Sequence, residues 1–142
     1  MKLIAETAWH HEGDFGFFSD LVDKILKSGS SDILKFHISL DIEEYASVDH
    51  PWYNIGKQKL FSLEEWAKIL KRVRNKKKEL LLLYNDKKSI EFGSSFDPEY
   101  VEIHSVALND IFLLDALKKN INKETSIFLG VGGCSTEEIK AA

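Results

Sequence analysis

The stretch LIAETAWHHEGDF, residues 3–15, decides how the rest of the chain is read. Its apolar start, Leu3-Ile4-Ala5, carries a lone carboxylate at Glu6 and runs into Trp9-His10-His11-Glu12-Gly13-Asp14. The apolar run predicts a first strand over Lys2–Ala8. Helical spacing begins at once behind it, with Phe17, Phe18, Leu21, Val22, Ile25 and Leu26 on one face of Phe15–Lys27. Asp14 is placed to cap that helix and Gly29 to end it. The stretch is therefore a strand, a polar turn and a helix start, with an acid held in the strand.

Working outward, the same unit recurs. Asp32–Ser39 (DILKFHIS) reads as a second strand, Glu79–Tyr84 as a nearly all-apolar third, Tyr100–Val106 (YVEIHSV) as a fourth and Ser126–Val131 as a fifth. Helices are expected from Ser62 to the basic run around Lys76, near Lys87–Phe92, and over Ile111–Asn120. Ser62 and Glu65 have the spacing of a capping box. CSTEEIKAA starts one more helix, capped by Ser135 or Thr136. Leu40–Phe61, which contains DHPWYNIG, reads as one long irregular loop, large enough to carry function. Trp52 and Tyr53 in it suit either stacking on a sugar ring or covering the sheet end. Strand–helix alternation of this kind predicts a parallel α/β sheet. A closed eight-stranded barrel needs about 250 residues, so five strands in 142 residues look like the first part of a (β/α)8 TIM barrel. A small open doubly wound sheet fits the same pattern.

Composition narrows the class. With 44% hydrophobic and 30% charged residues the chain has the balance of a soluble globular domain. A net charge of −4 argues against a nucleic-acid-binding face, and the basic run near Lys76 suits a helix C-terminus. A single cysteine, Cys134, excludes an internal disulfide and fits a reducing compartment. No apolar run approaches the roughly 18 residues of a membrane span, so a cytoplasmic protein is expected.

The strand ends carry a resemblance. IAETAWHHEGD resembles the I-A-E-I-G-x-N-H-x-G-D opening of the N-acetylneuraminate (sialic acid) synthase family, and DILKFH is similar to that family's D-A-V-K-F-Q. YNIGKQKLFSLEEW, VEIHSVALNDIFLLDAL and FLGVGGCSTEEI follow in the family's order and spacing. The resemblance implies a TIM barrel, of which residues 1–142 would be the N-terminal part, and a synthase condensing phosphoenolpyruvate with an N-acetylated hexose. It also implies a divalent metal, manganese or magnesium, whose ligands lie outside this sequence, and small-molecule substrates rather than nucleic acid or membrane. By that resemblance Glu6 and Lys35 are catalytic, and Lys35, Ser105, His11, Gly132 and Gly133 bind substrate.

The family pattern is also broken. Glu102 stands where the fourth strand of the family has a lysine, and Ala107 where it has an acid that binds the amino sugar. Leu82-Leu83-Tyr84-Asn85 replaces S-T-P-F, and Gly130-Val131 replaces S-T. These departures favour an alternative: a divergent barrel that binds a sugar or anion, or serves as a subunit, without condensation.

Taken on chemistry alone, Lys35 is unusual because lysine seldom lies among apolar strand neighbours without a partner. It can bind an anion or pair with Glu6 or Glu102. His10, His11, His37 and His104 invite a metal hypothesis, three of them at or near strand ends, but no pair has metal-site spacing. Gly130–Gly133 ahead of a helix resembles a phosphate cradle and serves equally as a tight turn. Exposed edges at both ends of a partial barrel predict an oligomer or a longer chain.

Overall fold

The computed structural model describes residues 1–141. Five strands, β1 (Ile4–Glu6), β2 (Ile33–Ile38), β3 (Glu79–Tyr84), β4 (Tyr100–Ile103) and β5 (Ser126–Leu129), form one sheet. All neighbours pair in parallel, and their order in space is their order in sequence. Among the described residues, seven α-helices connect or follow them: α1 (Phe15–Ser28), α2 (Ile42–Tyr45), α3 (Tyr53–Gln58), α4 (Leu63–Asn75), α5 (Lys87–Ser94), α6 (Ile111–Asn120) and α7 (Thr136–Ala141).

Period-two alternation sorts the strand residues between two faces. Leu34, Phe36 and Ile38 of β2, Leu80, Leu82 and Tyr84 of β3, and Val101 and Ile103 of β4 all point into one core. Phe18 and Val22 of α1, Trp66, Ile69, Leu70 and Val73 of α4, Ile90 of α5, and Leu113 and Leu117 of α6 fill it from the other side. Every major helix thus packs on the same face. Because parallel crossovers share one hand, a strand order that never reverses keeps the helices on that face. The doubly wound alternative requires helices on both faces and is excluded.

The caps behave as the sequence predicts. Asp14 accepts from the Phe17 amide at 2.9 Å, Gly29 ends α1 at φ 66°, and Ser62 and Glu65 close the capping box of α4. Other boundaries are corrected. The first strand is only Ile4–Glu6, and the fourth stops at Ile103 because Ser105–Ala107 turns into a 3-10 helix. The stretch 40–61 is not one irregular loop, since α2 and α3 lie within it.

The opening turn explains its own glycine. Ala8 and Glu12 adopt positive φ, and Gly13 follows at φ 87°. A Cβ on Gly13 would lie 2.4 Å from the Gln58 carbonyl oxygen, at the end of α3. Only glycine lets that backbone approach so closely. No helix among the described residues is long and apolar enough to cross a membrane.

Candidate functional site

The helix-free face of the sheet carries the charged strand residues. Pairing register places Glu6 beside Lys35 and Lys35 beside Leu81; one pleat further on, His37 lies beside Leu83 and Leu83 beside Glu102. Glu6, Lys35, His37 and Glu102 therefore share one face, toward the C-terminal ends of their strands. In barrels built of such units, ligands bind at that end.

Lys35 is the centre of the group. Its Nζ lies 3.2 Å from Glu6 Oε2 and 2.8 Å from Glu102 Oε2, and its side chain is only 12% exposed. The sequence left anion binding and ion pairing open for this lysine, and the structure shows the pairing with both acids. His37 Nε2 lies 2.7 Å from the other Glu6 oxygen, Oε1. Burial pushes the Glu6 carboxyl up, but the hydrogen bonds from His37 and then Lys35 outweigh it and leave the group below its ordinary value. Burial pushes His37 down, against the Glu6 hydrogen bond, so the imidazole is neutral near pH 7.

A second group forms between the ends of β4 and β5. Ser105, Gly132, Gly133 and Cys134 line an open cleft of about 540 Å³ together with Val106, Asn109, Asp110 and Glu138. Gly130 makes this possible. Its amide donates to the Ile103 carbonyl at 2.7 Å, and a Cβ there would lie 2.7 Å from the Ser105 amide nitrogen. The glycine turn is thereby drawn up against Ser105.

His11 stands apart from both groups. It is 2% exposed, with ring centroids of Phe61 at 4.3 Å and Phe18 at 5.1 Å. Its Nδ1 accepts from the Gly13 amide, while Nε2 is buried without a partner. Burial, then the nearby Lys59 ammonium, hold its pKa at about 4. The structure gives His11 a place in the turn's aromatic packing and no ligand-facing surface. Trp52, from the same region, packs its ring on Gly56 and meets Trp9 edge-on at 5.6 Å.

Among the described residues, no three of histidine, cysteine, aspartate and glutamate converge as a metal centre would require. The four histidines considered for metal binding do not form one. His37, read from sequence only in that connection, enters the site through Glu6 instead.

No protein-family model matches this chain, and no curated protein sequence matches it significantly. Solved structures do match. The chain superposes on an N-acetylneuraminic acid (sialic acid) synthetase from Leptospira borgpetersenii serovar Hardjo-bovis, determined in complex with citrate, with a TM-score of 0.83 and 22% identity. That alignment covers 98% of this chain and 47% of the other. A spore coat polysaccharide biosynthesis protein E from Chromobacterium violaceum aligns with a TM-score of 0.78 and 16% identity, over 99% of this chain and 44% of that one. A spore coat polysaccharide biosynthesis protein from Bacillus subtilis gives 0.70 and 20%, over 99% and 38%. The chain thus spans less than half the length of each. The resemblance read from the strand-end motifs is borne out at the level of the fold.

Proposed function

We propose that this chain forms the N-terminal part of a sialic-acid-synthase-type TIM barrel, an enzyme of carbohydrate biosynthesis that joins phosphoenolpyruvate to an N-acetylated hexose. The observation that carries the reading is the meeting of Glu6 and Lys35, from neighbouring strands, on the helix-free face at the strand ends. In this reading Lys35 grips the negative groups of phosphoenolpyruvate. Ser105 and the Gly132–Gly133 turn supply a hydroxyl and backbone amides to the same ligand. Glu6 orients both Lys35 and His37. The divalent metal of such synthases would polarise the sugar aldehyde. This chain offers no group of ligands for it among the described residues, so no step is derived through it.

One observation favours a second reading. The 2.8 Å pair with Glu102 already satisfies the lysine that should meet the anion. One cation against two carboxylates suits a neutral sugar better than a trianion. The protein would then bind the sugar without condensing it.

Calorimetric titration separates the two. Phosphoenolpyruvate binding that disappears in Lys35→Ala supports the synthase. Binding of an N-acetylated hexose, with none of phosphoenolpyruvate by the longest natural form of the protein, supports the second reading. No binding of either ligand to folded protein contradicts both.

A further inference from the structure

His37 sits one residue before the end of β2, on the face it shares with Lys35. Glu6, as a carboxylate, can only accept, so the imidazole proton lies on Nε2, which it holds at 2.7 Å. Nδ1 then carries a lone pair. It has no protein partner among the described residues, and it is not among the atoms sealed from solvent. The rest of the side chain is packed, only 13% exposed. A ring fixed at one nitrogen by a carboxylate, with the other nitrogen open at a strand end, is built to accept a proton.

The surrounding charges suit that task. Glu6 faces the ring from β1, Lys35 from its own strand and Glu102 from β4, while its neighbour on β3 is the apolar Leu83. With the imidazole neutral, the group has one negative charge in excess, and a proton taken at Nδ1 cancels it. The same excess suits an uncharged polyhydroxyl compound as the neighbour of His37.

We propose that His37 is a general base with Glu6 as its positioning residue, and that it takes the anomeric proton of a bound N-acetylated hexose to open the ring. This rests on the sugar-handling role proposed above, in which the free aldehyde is the reactive form of the sugar. The O1–H bond breaks as Nδ1–H forms, and its electron pair makes the C1=O bond. The C1–O5 bond breaks, O5 takes a proton from water, and the imidazolium proton returns to the hydroxide left behind. Nothing is oxidised or reduced. Run backward onto either face of the aldehyde, the step interconverts the two anomers, so it can be read without the condensation.

The test is mutarotation of a freshly dissolved single anomer of N-acetylmannosamine or N-acetylglucosamine, followed by proton NMR with the wild-type chain, His37→Gln and Glu6→Gln. Saturation-transfer NMR reads sugar binding in parallel. The expected result is acceleration by the wild type that falls about 100-fold in His37→Gln, at the lower end of what a general base contributes. Glu6→Gln keeps the shape and removes the charge that raises the His37 pKa. It should keep part of the rate and move the acid limb of the pH profile to lower pH, which a merely structural role would not do. Sugar that binds while wild type and His37→Gln give equal rates overturns this inference alone. Absence of sugar binding overturns this inference together with the sugar-binding reading, whereas the synthase reading falls only if phosphoenolpyruvate binding is absent as well.

Discussion

Lys35 and Glu102 form a 2.8 Å ion pair that reaches from β2 to β4 across the intervening strand, over Leu81 and Leu83. A lysine that could meet an anion is thus held by an acid two strands away. Glu102→Gln should leave it paired with Glu6 alone, and affinity for phosphoenolpyruvate should rise about tenfold, equivalent to ~1.4 kcal/mol, in a calorimetric titration. Lys35→Met should act the other way on stability. It leaves Glu6 and Glu102 without their cation, at a cost of ~1–3 kcal/mol, below the fully buried case because Glu6 is partly exposed. Urea unfolding at neutral pH measures it.

His11 predicts how stability responds to mild acid. Its pKa is pushed down to about 4, so the unfolded chain takes up the proton near pH 6.5 while the folded chain refuses it. Stability is full above pH 6.5, falls as the pH drops toward 4, and levels below that, by at most ~3 kcal/mol. His37, also pushed down, adds in the same direction. Denaturant midpoints at pH 7 and 4.5 should differ less in His11→Phe than in the wild type.

Much of this fold is legible in the residues, and the failures have physical causes. Glu79–Tyr84 and Ile111–Asn120 are bounded as read, because an unbroken apolar run and a well-placed Asp110 cap leave little freedom. α2 and α3 are invisible to periodicity: IEEY and YNIGKQ are too short to show a face. Whether helices cover one side of the sheet or both depends on strand order, which no local pattern encodes. In the site, Glu6 and Lys35 stood out as charges among apolar neighbours. His37 did not, although period two already puts it on the Lys35 side of β2, opposite Phe36. The motif position of His11 suggests a ligand, and its packing against Phe18 and Phe61 is tertiary and not legible in the sequence.

Gly130 tests the second half of the site. In Gly130→Ala the new methyl group would press on the Ser105 amide and the Ile103 carbonyl, which are backbone and cannot swing aside. Separation of β4 from the glycine turn should cost ~1–3 kcal/mol. Exchange of the Gly130 amide, bonded to Ile103 at 2.7 Å, should speed up while amides of β2 and β3 stay protected.

The sheet edges predict association. Leu3 just before β1, Ile4 on it, and Ile127, Phe128 and Leu129 on β5 are each 42–50% exposed beside strand edges unpaired within the described residues. Such edges recruit other chains. Sedimentation of the 142-residue chain should show self-association that Ile127→Lys weakens.

We propose that the helix-free face carrying Lys35 is the active site of a phosphoenolpyruvate-dependent synthase. The most direct test is release of inorganic phosphate from phosphoenolpyruvate by the longest natural form of the protein, with manganese and an N-acetylated hexose. Release should require both substrates and be lost in Lys35→Ala. Absence of release from folded protein that still binds the hexose, or release unchanged in Lys35→Ala, would contradict it.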